Sequence, residues 1–181
     1  VKKCIENGVL APNSSNLQLW EFYHITNQEL LRKISKTCFN QSAASTAKQI
    51  VITVVRKDLW KLRANKNIDF IHLKKKNLST KQYDLTQKYY KRVIPFVYKD
   101  FLGILGFFKY IISYIFGFFR VMYRQLRTTD TRIIAHKSAA LASQNFMISM
   151  AGFGYDTCPM EGFDPAKYDE ILGLKAKGLK A

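Results

Sequence analysis

Cysteine is scarce in this chain, and what there is does not pair. Cys4, Cys38 and Cys158 are three in number, far apart and without a CxxC. This excludes a disulfide-stapled scaffold and points to free thiols in a reducing, cytoplasmic compartment. His24, His72 and His136 are scattered, and no HxxxH or HExxH spacing joins them to carboxylates, so no metal site is expected. No GxGxxG or GxxxxGK occurs, which removes the Rossmann and P-loop routes to a nucleotide. Ser138 and Ser143 stand without a nucleophile elbow, so serine hydrolysis is not supported. The opening residues, VKKCIENGVLAP, read as the last turns of a helix and not as an apolar leader. Acidic residues are few: 13 Asp and Glu face 29 Lys and Arg, for a formal charge of +16.

That charge is uneven. Residues 1–92 hold 18 Lys and Arg against 6 Asp and Glu, and residues 93–127 hold 5 against 1. Residues 128–181 are balanced at 6 against 6, so the basic excess lies in the first two-thirds. It is densest from Arg56 to Arg92, where Lys74, Lys75 and Lys76 are consecutive. Such a field suits a solvated face, an anionic membrane or a nucleic acid. No zinc spacing, RNP motif or recognition-helix signature accompanies it, so no nucleic-acid partner is expected.

A chain of 181 residues with 48% apolar content is sized for one domain with its own core, here taken as 1–181. Trp20–Thr26 (WEFYHIT) alternates as a half-buried strand does. Ile50–Val55 (IVITVV) is β-branched throughout and apolar enough for a sheet interior. Asn27–Thr37 predicts a helix with Leu30, Leu31 and Ile34 on one face, and Ala43–Lys48 a short one. A further helix is expected from Thr128 to about Gly152, slim because of Ala139, Ala142 and Ser143, and another over Pro165–Ala181 with proline in its first turn.

Residues 57–127 form a basic and then hydrophobic insertion. Its second part, Val93–Tyr123, holds seven Phe, with Lys99, Asp100, Lys109 and Arg120 as its only charges. A membrane-spanning helix needs about 20 largely uncharged residues. The longest uncharged run here, Tyr110–Phe119, is half that. Three readings stand: a buried or dimer-covering helix, a segment over 93–123 touching a bilayer peripherally, and a true span.

Two segments carry the chemistry. Ala11–Phe22 (APNSSNLQLWEF) places Asn13, Ser14, Ser15, Asn16 and Gln18 on a loop, short polar groups able to donate and accept hydrogen bonds. Gly154–Asp164 (GYDTCPMEGFD) follows the small-residue helix and turns at Gly162, where backbone can approach a planar ligand closely. Together, in this order, they resemble the nitroreductase family of FMN-dependent oxidoreductases. Pro12, Ser14, Asn16, Gln18 and Trp20 match the family's (S/T/A)PSSxNxQPW loop; Asn13 stands where Ser is common and Leu19 where Pro is. Pro159-Met160-Glu161-Gly162-Phe163-Asp164 resembles its PxxGF(D) turn. Asn40, within FNQSAASTAKQIVIT, matches a position that bonds the flavin's pyrimidine edge, although Ala43 stands where a Lys is common.

The resemblance covers about residues 1–56 and 128–181. It implies an α+β, nitroreductase-like fold: a mixed, mainly antiparallel central sheet surrounded by helices, with the Phe-rich helical insertion added. It implies a homodimer binding FMN at its interface, with Asn13, Ser14, Asn16, Gln18, Asn40, Pro159, Met160, Glu161 and Gly162 as cofactor contacts. The backbone at Glu161 and Gly162 would lie over the flavin, one N–H pointing to N5. No side chain is assigned a catalytic role, because flavin N5 carries the chemistry. The implied activity is ping-pong transfer of hydride from NAD(P)H through FMN to nitroaromatic, quinone or similar small electron-poor acceptors. The alternative is a degenerate flavin fold, or a membrane-associated interaction protein without reductase activity. The family's basic opening segment and its closing strand and cationic tail have no counterpart here, so a longer intact gene product is expected.

Overall fold

The computed structural model describes residues 1–101 and 103–173. They divide into two compact units. One comprises 1–13, 20–56 and residues from 138 onward; the other comprises 14–19 and 57–137.

The first unit is built on two antiparallel strands, β1 (Trp20–Ile25) and β2 (Ile50–Val55), paired from Trp20↔Val55 to Ile25↔Ile50. Alternation gives this ribbon two apolar faces. Ile25, Ile50, Ile52 and Val54 pack on α2 (Gln28–Thr37), α3 (Ser42–Thr46) and α9 (Pro165–Ile171) through Leu31, Ile34, Ala44 and Tyr168. On the other face Val51 packs with Cys4, Phe146 and Met150, and Val55 with Trp20, Ala139 and Ala142. Apart from Trp20 of β1, those partners lie on α1 (Lys2–Gly8) and α8 (Thr128–Gly152), whose residues from 138 onward count with this unit. Small side chains allow close approach: a Cβ on Gly8 would lie 3.2 Å from both the Ala142 carbonyl and Phe146 Cβ. Thr53 and Ser143 link sheet and helix, hydroxyl to hydroxyl, at 2.8 Å. The strand pair is thus covered on both sides, as the β-branched run predicts.

Local signals set the ends of these helices. Asn27 Oδ1 accepts from the Leu30 N–H at 2.9 Å and starts α2, and Asp164 Oδ1 accepts from Ala166 and Lys167 to start α9 with Pro165 in its first turn. The helix expected over Pro165–Ala181 is described to Ile171; residues 174–181 of that expectation lie outside the described residues. At the start of α8 the Asp130 carboxylate accepts from the Arg127 N–H at 3.0 Å.

The second unit is helical: α4 (Trp60–Leu73), α5 (Thr80–Lys88), α6 (Ile94–Tyr98), α7 (Ile104–Phe116) and residues 128–137 of α8. Ser79 and Gln82 form a capping box at α5, and a π-helical turn over Tyr89–Val93 leads into α6. Trp60 stacks on Tyr98 with ring centres 6.0 Å apart. Asp100 anchors α7. Its Oδ1 accepts from Phe101 N and Gly106 N, both at 2.9 Å, and its Oδ2 accepts from the Thr128 hydroxyl. Burial pushes this carboxyl up, but the three donors outweigh it and hold the group below the ordinary aspartate range. Only Gly106 and Ser113 of α7 are buried, so the stretch is not a core helix of this chain. Among the described residues no helix is long and apolar enough to cross a membrane.

Candidate functional site

Backbone conformation singles out two places. Among the described residues, five non-glycine positions have positive φ: Ser15, Asn16, Gln18, Phe39 and Asn40. L-residues adopt this left-handed geometry at a cost of roughly 1–2 kcal/mol each, less for Asn. All five lie in, or next to, candidate contacts from the sequence. A bulky Phe at φ 56° is the most unusual of them. Such geometry persists only where surrounding contacts enforce it.

In the first unit those contacts join Asn40 to the turn after α8. The Asn40 N–H donates to the Ser35 carbonyl at 3.0 Å, closing the end of α2. The next residue, Gln41, reaches 121 positions along the chain: its Nε2 donates to the Gly162 carbonyl at 2.7 Å. The Asp164 N–H donates to the Thr37 carbonyl at 2.9 Å. Met160 and Phe163 pack against the core, and Phe163 meets Tyr168 with ring centres 4.7 Å apart. Tyr168 is buried, its hydroxyl 3.2 Å from the Cys38 thiol; burial first, and then that thiol, push the phenol above its ordinary range. The turn is thus fastened over residues 160–164, while Pro159, Glu161 and Gly162 remain exposed. The Glu161 N–H meets no acceptor among the described residues. Asn13, also in this unit, donates from Nδ2 to the Ala11 carbonyl at 3.3 Å.

In the second unit the loop of Ser14, Asn16 and Gln18 is fixed from α4 and the π-helical turn. Asn67 Nδ2 donates to the Asn16 carbonyl at 2.9 Å, and the Tyr90 hydroxyl to the Ser15 carbonyl at 2.9 Å. The Ser15 and Tyr89 hydroxyls meet at 2.6 Å. Leu17 and Leu19 are buried beneath the loop. Leu19, standing where the similar motif has Pro, therefore serves as an apolar anchor.

The structure thus brings Asn40, Pro159, Met160, Glu161 and Gly162 into one arrangement, with Asn13 in the same unit, and holds Ser14, Asn16 and Gln18 in the other. Sequence reasoning missed Gln41, Asn67, Tyr89 and Tyr90, the groups that fix the two loops. The Tyr89-Tyr90 pair was the one visible signal. No group of three or more His, Cys, Asp or Glu suited to a metal ion exists among the described residues. Of the thiols, Cys4 and Cys38 are buried and Cys158, in the turn, is exposed.

Two fixed loops, a small-residue helix and a strand pair covered on both faces make an α+β fold. Compared with known families, residues 1–180 match the nitroreductase family, and the chain belongs to it. The match runs through 57–127, where the sequence motifs were silent. The chain is 25% identical over 178 residues to Protein DrgA of Synechocystis sp., covering 97% of this chain and 66% of that protein. It is 26% identical to the Bacillus subtilis protein named "Putative NAD(P)H nitroreductase YfkO", covering 92% of this chain and 64% of that one. The chain therefore spans just under two thirds of the length of these relatives. Among solved structures, ydfN of Bacillus subtilis superposes with a TM-score of 0.67 at 21% identity, covering 96% of this chain and 69% of that one. A nitroreductase-family protein of Streptococcus pneumoniae gives 0.58 at 18% identity, covering 95% and 70%. An Exiguobacterium sibiricum structure described as a "putative nitroreductase in complex with FMN" gives 0.58 at 19%, covering 95% and 68%. These likenesses establish the nitroreductase-like fold.

Proposed function

We propose that this chain is the core of an FMN-dependent oxidoreductase that takes hydride from NAD(P)H, works as a homodimer and reduces small electron-poor acceptors such as nitroaromatics or quinones in a ping-pong cycle. Bound FMN supplies a ring nitrogen that accepts hydride and a redox centre that passes electrons on. The observation that carries the reading is the concentration of left-handed, non-glycine backbone in the two segments that resemble the family's cofactor contacts.

The residues present fit such a group. The exposed turn offers the Glu161 N–H without an internal acceptor, a fixed donor suited to a ring nitrogen. The missing side chain of Gly162 leaves room for the Gln41 amide, and Gln41 and the Thr37 carbonyl fix the turn in place. Pro159 and Met160 shape its approach, and Asn40 offers a side-chain amide to a heterocycle edge. Asn13, Ser14, Asn16 and Gln18 supply the remaining polar contacts in this reading. No side chain is assigned an acid or base role in this reading: the protein binds and orients, and protons come from water.

The test is the visible spectrum of the purified full-length protein, recorded before and after anaerobic addition of NAD(P)H. Flavin bands that bleach are expected. A colourless protein that stays colourless after FMN is added overturns the reading.

A further inference from the structure

Among the described residues the outer side of α7 is apolar and has no partner. Ile104, Phe107, Phe108, Ile111, Ile112 and Ile115 are each between 37% and 57% exposed, and the residues that follow the helix, Phe118 and Phe119, are 72% and 85% exposed. These positions surround the direction opposite Gly106 and Ser113, the two buried residues, so they form one outward face. No charged residue lies among them. Lys109, the one cation inside the helix, is drawn off this face. Its ammonium donates to the carbonyls of Phe96 and Lys99 and lies 5.5 Å from the centre of the Phe96 ring. Arg124 and Arg127 are likewise held at the side, over Tyr114 and Tyr110 at 5.3 and 4.8 Å.

An exposed apolar face of this extent marks an interaction site. The charge around it identifies the partner. The unit containing α7 carries 18 Lys and Arg against 5 Asp and Glu, a balance of +13 within a chain of +16. A second copy brought to this face would set like charge against like. An anionic lipid surface is complementary in both respects: its acyl boundary accepts the Phe and Ile side chains, and its headgroups accept the cations beside them. Thirteen helical residues extend about 20 Å, short of the roughly 30 Å hydrocarbon core, so the helix must lie in the plane of the interface.

We propose that α7 and the Phe118-Phe119 pair dock this protein on an anionic membrane surface, with the helix parallel to the bilayer. The inference is independent of the flavin reading, and flotation reports on it whether or not the protein is yellow.

The experiment is flotation of the full-length protein with phosphatidylcholine vesicles, with and without phosphatidylserine, at low and high salt. The wild type is expected to float with phosphatidylserine vesicles at low salt, with little binding to neutral ones. The double variant Phe108→Glu, Ile115→Glu alters only exposed side chains and should lose binding about tenfold or more with an unchanged circular dichroism spectrum. Arg120→Glu should weaken binding about tenfold at low salt and much less at high salt. Equal binding to neutral and anionic vesicles, or undiminished binding by the Phe108/Ile115 variant, overturns the proposal. So does an absence of vesicle binding accompanied by an oligomer that the same variant dissociates, which would assign the face to a second copy.

Discussion

Substitution of Gly162 by alanine should have an effect whose sign depends on Gln41. A methyl at 162 would lie 2.9 Å from Gln41 Nε2 and 3.8 Å from its Cδ, its nearest neighbours. The amide is the far end of a flexible side chain, so it can retreat, but it then gives up its 2.7 Å bond to the Gly162 carbonyl. A neutral hydrogen bond contributes about 1 kcal/mol net, and solvent exposure places this one at about 0.5–1. Against that, Gly→Ala at an ordinary φ stabilises by about 0.4–1 kcal/mol by restricting the unfolded chain. In the natural background the two effects nearly cancel. In a Gln41→Ala background the bond is already gone and the methyl's nearest neighbour is removed, so Gly162→Ala should stabilise by about 0.5 kcal/mol. Gln41→Ala alone should destabilise by about 0.5–1. The coupling across the cycle is then about 0.5–1 kcal/mol, read from urea unfolding of the four proteins. An identical effect of Gly162→Ala in both backgrounds would refute the claim that Gln41 holds the turn.

Phe39→Gly should stabilise the protein by about 0.5 kcal/mol, because relief of left-handed strain exceeds glycine's added unfolded-state entropy and the side chain is exposed; a lowered urea midpoint would contradict this. Gly8→Ala should destabilise by about 1 kcal/mol despite alanine's better helix propensity. Its methyl would press on the Ala142 carbonyl and Phe146 Cβ at 3.2 Å, and thermal melting would show the loss. Asp100→Asn should destabilise by about 1–2 kcal/mol at neutral pH by weakening charge-assisted bonds at the start of α7. Because the folded chain depresses the Asp100 pKa, its contribution is complete above roughly pH 5 and is lost as pH falls through the lowered value. The wild-type advantage over Asp100→Asn should accordingly shrink on acidification; a gap that widens would reverse the assigned sign.

Much of the first unit was legible because its signals are local. Asn27 capping α2, the β-branched run of β2, and Pro165 behind Asp164 each fix an element within a few residues. The cofactor segments were legible as motifs. Their supports were not, because Gln41 and Gly162 stand 121 positions apart and Asn67, Tyr89 and Tyr90 act on a loop more than 50 positions earlier. Leu19 stands out in the sequence only as a departure from the motif's Pro, yet its role is burial, which such a departure does not reveal. The left-handed backbone at Phe39 has no sequence signal, since residue type argues against it and only the surrounding bonds enforce it. Around α7 the sequence left three readings open; burial of only Gly106 and Ser113 argues against the buried half of the first, and no helix among the described residues is long and apolar enough to cross a membrane.

The uneven accessibility of the three thiols gives the protein a built-in reporter. Cys4 and Cys38 are 2% and 0% exposed, whereas Cys158 lies open on the turn that carries Glu161 and Gly162. A maleimide dye or nitroxide should therefore attach within these residues at Cys158 alone, without mutagenesis. Its emission or line shape would report directly on the mobility of that turn, and in a symmetric assembly the two labels would form a single spin pair whose separation electron resonance can measure.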